Sequence, residues 1–199
     1  MTDYFALLDQ PRRPWLDGDE LKEQFQARST AAHPDRIHNA TPEEKAGATQ
    51  RFTVLNAAFN CLKEPRHRVR HLVELELGRK PGDLKNVPGE LVDAFMQIAA
   101  TGRTVETLAR ERAQIQSPML QAEFFERVQP QLEILESLQK RISDLEARAI
   151  EQLRGLDAAW DHSDQRAVLL PQLEELAQTL GFHGRWRAQL QEAHLRLTL

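Results

Sequence analysis

The chain has 199 residues, 41% of them hydrophobic and 28% charged, with a net charge of −4, so its make-up is that of an ordinary globular protein and excludes a strongly basic nucleic-acid binder. No apolar stretch is long enough to span a bilayer, and Met1-Thr2-Asp3-Tyr4 lacks the basic start and apolar run of a secretory signal. Cys61 is the sole cysteine, which rules out an internal disulfide and a cysteine-based metal site within one chain; a reducing, cytoplasmic setting is expected.

Nearly every segment reads as helix, so the expected fold class is all-α. Tyr4-Phe5-Ala6-Leu7-Leu8 is one short apolar turn of helix, ended by the Pro11–Pro14 stretch. Asp17-Gly18-Asp19 supplies an N-cap for a helix over about 19–32, with Leu21, Phe25 and Ala32 facing inward. Pro34 stops that helix, because a residue before proline is pushed out of helical geometry. After a polar loop, Thr41-Pro42-Glu43-Glu44 forms a capping box with proline at the first helical position. The helix it opens runs to about Lys63 and places Phe52, Leu55, Phe59 and Leu62 on one face. Pro65 starts a fourth helix, with Val69, Leu72, Val73 and Leu77 inside, and Gly78 closes it.

Residues 79–88, with Pro81, Gly82 and Pro88, predict a linker between a unit at 1–78 and a second at 89–199. The charge divides there as well. Residues 1–80 hold 13 Lys and Arg against 12 Asp and Glu, and the remainder 13 against 18. In the second unit Leu91, Val92, Phe95 and Ile98 predict a helix interrupted near Gly102, followed by a segment ending at Ser117-Pro118. A longer stripe runs Val128, Leu132, Leu135, Leu138, Ile142, Leu145, Ala149, Leu153 and Leu156, with a kink or restart expected at Pro130. Two last helices, 165–180 and 182–198, are expected to hinge at Gly181. The short connections predict an antiparallel, three-helix-type bundle. The long stripe could alternatively pair two copies in a homodimer.

The feature that carries function is His33-Pro34-Asp35, set between two amphipathic helices. A proline that ends a helix fixes the tip of a helical hairpin and presents its neighbours at set angles. Asp35 can accept charge-assisted hydrogen bonds from a partner's arginine, each contributing roughly 1.5–3 kcal/mol. As each 1.4 kcal/mol is about a tenfold shift, such contacts are large enough to bias a two-state partner. The plainer reading is a helix-stop turn with His33 as a charge at the helix C-terminus. The surrounding order of elements favours the trigger.

That order, with Phe59-Asn60-Cys61-Leu62-Lys63-Glu64-Pro65 closing the third helix, resembles a J domain over residues 3–77. The resemblance implies a DnaK-type chaperone ATPase as partner, with His33, Pro34 and Asp35 contacting it and stimulating hydrolysis. Asp3-Tyr4-Phe5 at the start, Arg66 to Leu72 after the third helix, and Arg185-Trp186-Arg187-Ala188-Gln189-Leu190 near the end resemble the HscB family. Its members are J-type co-chaperones of iron–sulfur cluster assembly. Membership implies an HscA-type chaperone and, as client, an IscU-like scaffold bound by the C-terminal bundle. It implies no enzyme activity and no cofactor.

The sequence departs from the family in two places. The second helix keeps only Lys22 and Arg28 as basic residues, so chaperone docking is expected to rest on these with Arg36 and the tripeptide. In the first bundle helix Leu91, Val92 and Phe95 match apolar client positions and Asp93 an acidic one, but Met96 and Ala99 stand where further acids are expected. Leu91, Val92 and Phe95 read equally well as bundle core. His67 and His71 have the one-turn spacing of helical zinc ligands, although no third ligand is placed, and a solvated basic face with Arg66, Arg68 and Arg70 is the alternative. Three functions remain open: delivery of an iron–sulfur scaffold, a J-domain adaptor for another client, or a structural helical protein whose tripeptide is vestigial. None involves nucleic acid or a membrane.

Overall fold

The structure is a computed structural model; it describes residues 1–32, 41–82, 89–161 and 166–198. All regular structure among these is helical, in seven helices: α1 (Tyr4–Leu7), α2 (Gly18–Ala32), α3 (Pro42–Lys63), α4 (Pro65–Leu77), α5 (Gly89–Arg112), α6 (Pro118–Trp160) and α7 (Arg166–Thr198). No helix among the described residues is long and apolar enough to cross a membrane.

The local signals form as their chemistry dictates. Asp3 caps α1, its Oδ1 accepting from Phe5 N at 3.0 Å and Ala6 N at 3.2 Å. Asp17 does the same for α2 through Asp19 N and Glu20 N, at 2.9 and 3.0 Å. Thr41 and Glu44 close a complete capping box on α3, satisfying two backbone donors that a helix start leaves without partners. Gly78 ends α4 at φ +65°, a left-handed conformation that glycine adopts without the steric cost of a Cβ.

The chain divides into two compact units. The first comprises Met1–Asp83 with Ile150–Gln178, the second Leu84–Ala149 with Thr179–Leu199. The first therefore takes in the end of α6 and the start of α7 as well as α1–α4. The connection is polar and specific. Asp157 of α6 accepts from Arg13 Nε at 3.0 Å, Arg13 Nη2 at 2.7 Å and the backbone N of Trp15 at 2.8 Å. Trp160 Nε1 donates to the Arg12 carbonyl at 2.7 Å, and the Arg154 guanidinium lies 4.4 Å from the Trp15 ring centre. Glu174 of α7 holds Arg79 at 2.8 Å and accepts from Gly82 N at 2.5 Å. Thus the described beginning of the 79–88 segment is tied down by side chains of α7.

The second unit packs α5, α6 and α7 around one apolar core. Leu91, Ala94, Ile98 and Val105 of α5 meet Val128, Leu132, Leu135, Leu138, Ile142 and Leu145 of α6, with Trp186, Leu190 and Leu197 of α7. Polar pairs give the directions. Glu90 pairs with Arg148, Gln97 with Arg141 and Glu111 with Arg127, so α5 and α6 are antiparallel. The long stripe expected on α6 is buried from Val128 to Leu153 in the chain's own interior, where it is not available to pair two copies.

Three local expectations are corrected. α5 runs through Gly102 without interruption, and a Cβ there would meet only Gln189 Nε2, at 3.8 Å. α7 is one helix through Gly181, not two with a hinge, because Leu176, Ala177, Leu180, His183, Trp186 and Leu190 stay buried at steps of one, three and four residues. A glycine inside a helix costs about 1 kcal/mol relative to alanine, and burial of a single leucine at roughly 1.5–3 kcal/mol outweighs it. Likewise α6 continues past Pro130 as one helix, so it does not restart there.

Candidate functional site

The hairpin that frames His33-Pro34-Asp35 is built by α2 and α3. Leu21 of α2 is buried, as are Leu55, Ala58 and Leu62 of α3, and Phe25 stacks on Phe59 with ring centres 4.3 Å apart. α2 reaches Ala32, and α3 opens at Pro42. His33, Pro34, Asp35 and Arg36 lie outside the described residues.

Of the two basic residues expected to help docking, Lys22 is exposed on α2, while Arg28 is half-buried and ion-paired with Asp9. Six residues apart on a helix of 3.6 residues per turn, the two point about 120° apart. Asp9 adopts φ +49°, which aspartate tolerates better than most residues. The guanidinium of Arg28 is thereby engaged at the start of the loop between α1 and α2, leaving Lys22 as the open basic group on this helix.

Arg68 corrects the expected basic face of α4. It is 3% exposed; its Nε donates to the Pro14 carbonyl at 2.9 Å and its Nη1 to the Leu62 carbonyl at 2.8 Å. Its guanidinium carbon lies 5.3 Å from the Trp15 ring centre. Burial pushes its pKa down to about 10, against the opposing pull of Asp157. Arg68 therefore braces the segment that carries Trp15, while His67 and Arg70 remain at the surface. His71 is also buried, and its Nε2 accepts from Tyr4 N at 3.2 Å, which occupies the lone pair a metal would need. No group of three His, Cys, Asp or Glu side chains among the described residues is placed to hold a metal ion. Burial, followed by the Glu74 charge, pushes the Cys61 thiol up to about 11, so it stays protonated near neutral pH and packs as a small apolar group.

The second surface lies on α5, in the other unit. Leu91 is 3% exposed and belongs to the core, with Ala94 and Ile98. Val92, Phe95 and Met96 are 45%, 55% and 62% exposed, and Asp93 is exposed beside them. Their spacing of three and four residues makes one apolar stripe on the solvent side. The four residues picked from the sequence thus divide: Leu91 faces inward, and Val92, Asp93 and Phe95 face outward with Met96. Met96 follows the same periodicity, so its place was open to sequence reasoning. Asp157, Trp160 and Glu174 were not, since nothing local marks them.

No family model matches the chain. Over 74 residues it is 34% identical to the co-chaperone protein HscB homolog of Vibrio cholerae serotype O1, in two strains, a match taking in 37% of this chain and 43% of that protein. The match thus spans less than half the length of the curated relatives. The fold resembles chaperone HscB from Vibrio cholerae, with a TM-score of 0.65 over 98% of this chain and 99% of that one, at 19% identity. Over those 74 residues the chain is similar to the HscB co-chaperones, and it has the fold of the solved HscB chain. Human co-chaperone protein HscB is similar too, with a TM-score of 0.65 and 18% identity over 96% of this chain and 82% of that one.

Proposed function

We propose that the chain is a J-type co-chaperone: it stimulates the ATPase of a DnaK- or HscA-type chaperone and delivers to it an IscU-like iron–sulfur scaffold. The observation that carries this reading is the α2–α3 hairpin, braced by the Phe25–Phe59 stack and opened on its far side by the Thr41–Glu44 capping box, with His33-Pro34-Asp35 between its arms. The packed pair of helices fixes where the chain leaves α2 at Ala32 and re-enters helix at Pro42, which is the base from which His33-Pro34-Asp35 would be offered to a partner. The relationship to HscB co-chaperones supports the choice of partners.

Asp35→Asn keeps the size of the side chain but removes its charge. Loss of charge-assisted hydrogen bonds of roughly 1.5–3 kcal/mol each should cut stimulation of the chaperone's ATP hydrolysis at least tenfold at limiting co-chaperone concentration. Unchanged stimulation would sink the J-domain mechanism.

Client capture is assigned to Val92, Phe95 and Met96. Phe95→Ser with Met96→Ser changes only exposed positions, so the bundle should remain folded. Each of the two side chains contributes roughly 1.5–3 kcal/mol when fully buried, and the double variant should lose capture of an IscU-like scaffold in a pull-down while keeping the stimulation that Asp35 supports. Scaffold binding at wild-type strength would remove the stripe from the client site. If the wild-type protein activates the chaperone but never captures the scaffold, it is a J-domain adaptor for another client.

A further inference from the structure

His71 sits where α4 meets the beginning of α1. The residue is 6% exposed, and its ring stacks on Tyr4 and Phe5, with ring centres 4.6 and 5.8 Å away. Its Nε2 accepts the backbone N–H of Tyr4 at 3.2 Å. That N–H is the first of α1, which a helix leaves without an internal partner. Asp3 Oδ1 takes the next two, from Phe5 and Ala6, and the Asp3 carbonyl takes Leu7 N at 3.2 Å. The first turn of α1 is therefore fully satisfied only while the Nε2 of His71 carries a lone pair.

We propose that His71 is a proton-operated latch on the N-terminal helix, holding its first turn to α4 when neutral and releasing it when protonated. A protonated Nε2 bears its own hydrogen, which then faces the hydrogen of Tyr4 N, so an acceptor contact becomes a clash of two donors. The groups around it give the new proton somewhere to turn. Asp3, the cap residue just before α1, acts on the ring through its charge and is held by Arg12 at 2.6 Å from the following loop. Glu74 faces it from α4 and is paired with Arg70 at 3.1 Å. Glu74 and Arg70 line a pocket of about 360 Å³ beside the ring, together with Met1, Thr2, Tyr4, Cys61 and His67. The imidazolium exchanges the Tyr4 amide for one of these two carboxylates, in competition with the arginine that now holds it.

Burial lowers the pKa of His71, with Arg12 acting in the same direction, while Asp3 and Glu74 raise it; the balance lies below the ordinary histidine value. The latch is thus closed at neutral pH and opens in mild acid. Its release frees Met1 to Tyr4 and spares Phe5 and Leu8, both fully buried. The latch operates whether or not the protein has the proposed co-chaperone role.

The test follows the full-length protein by NMR from pH 7.5 to 5.0, reading the His71 ring nitrogens and the Tyr4 amide together. The Tyr4 amide should shift with the same midpoint as the ring, below pH 6.5, and its protection from hydrogen exchange should fall at least tenfold through that step. Leu8 should keep its protection. In His71→Phe, which retains a stacking ring without an acceptor, the Tyr4 amide should be unprotected at every pH and show no step. His67→Asn should leave the step in place. A Tyr4 amide that stays flat while His71 titrates overturns the latch. So does a His71 ring that stays neutral down to pH 5.0, or a step that survives in His71→Phe; should that variant not fold, the wild-type titration alone decides.

Discussion

Asp157→Ala should destabilise the first unit by about 3 kcal/mol, a loss of the size found when one partner of a largely buried ion pair is removed. The carboxylate is mostly buried and serves three donors: both ends of the Arg13 guanidinium fork, and the backbone N of Trp15. The fork geometry is the strong, bidentate form of an arginine–carboxylate pair. Its hydrogen bond, and then the charge of Asp157, raise the pKa of Arg13 against a burial that lowers it. Without the carboxylate the Trp15 amide loses this acceptor, and Asp161, 3.7 Å from Arg13 but 70% exposed, is a poor substitute for the guanidinium. Part of the Arg13 side chain reaches solvent, which keeps the loss near the low end of the buried-pair range. Urea unfolding monitored by tryptophan fluorescence would read the change, since Trp15 and Trp160 both lie at this junction. Asp157→Asn, which can still accept from Trp15 N but holds arginine less well, should fall between wild type and Asp157→Ala. If both variants unfold within about 0.5 kcal/mol of wild type, the size of ordinary surface substitutions, the junction contributes little to stability.

The second large effect concerns His183, in the other unit. It is 1% exposed, and neither ring nitrogen has a hydrogen-bond partner. Burial, reinforced by the positive charge of Arg148, pushes its pKa down to about 4. The unfolded chain, with an ordinary histidine near 6.5, binds a proton in the interval between these values that the folded chain refuses. Stability from this group is therefore intact above about pH 6.5, declines as the pH falls towards 4, and is lower by roughly 3 kcal/mol once both states are protonated. His183→Leu replaces an unpartnered polar ring with an apolar side chain. It should add about 1–2 kcal/mol at pH 7.5, and its margin over wild type should widen by roughly 3 kcal/mol at acid pH as the penalty on the wild type grows. Taking the difference between the two proteins in urea at each pH cancels the contribution of His71 and of the carboxylates. A constant difference from pH 7.5 to 4.5 would mean that His183 does not titrate as its burial requires.

Both effects arise from groups that the chain's local pattern does not single out. Asp157 meets Arg13 across 144 residues, and His183 lies in a stretch whose neighbours, Arg185 and Trp186, carry the more visible pattern. The α5 stripe shows the same limit on a smaller scale. A periodicity of three and four residues identifies a helix and its two faces, but Leu91 and Phe95 are both large and apolar. Only the position of α6 decides that Leu91 is covered and Phe95 is not. Arg68 is a sharper case: among three alternating arginines it reads as surface charge, and it is buried because the carbonyls of Pro14 and Leu62 are brought to it by other parts of the fold.

The amino-acid order by itself determined the features that are settled within a turn or two of chain. These are the all-helical class, the Asp17 and Thr41 caps, the left-handed stop at Gly78, the long apolar face of α6, and the His33-Pro34-Asp35 tripeptide, for which the sequence is the basis of the reading. Their energies come from neighbours in sequence, so they can be read there. The tertiary structure decided whether Gly102 and Gly181 break their helices, which α5 residues face solvent, and which charges are buried. Each of those outcomes weighs a local preference of about 1 kcal/mol against burial or pairing by distant residues, and those distant contacts, which outweigh the preference, do not exist until the helices have packed.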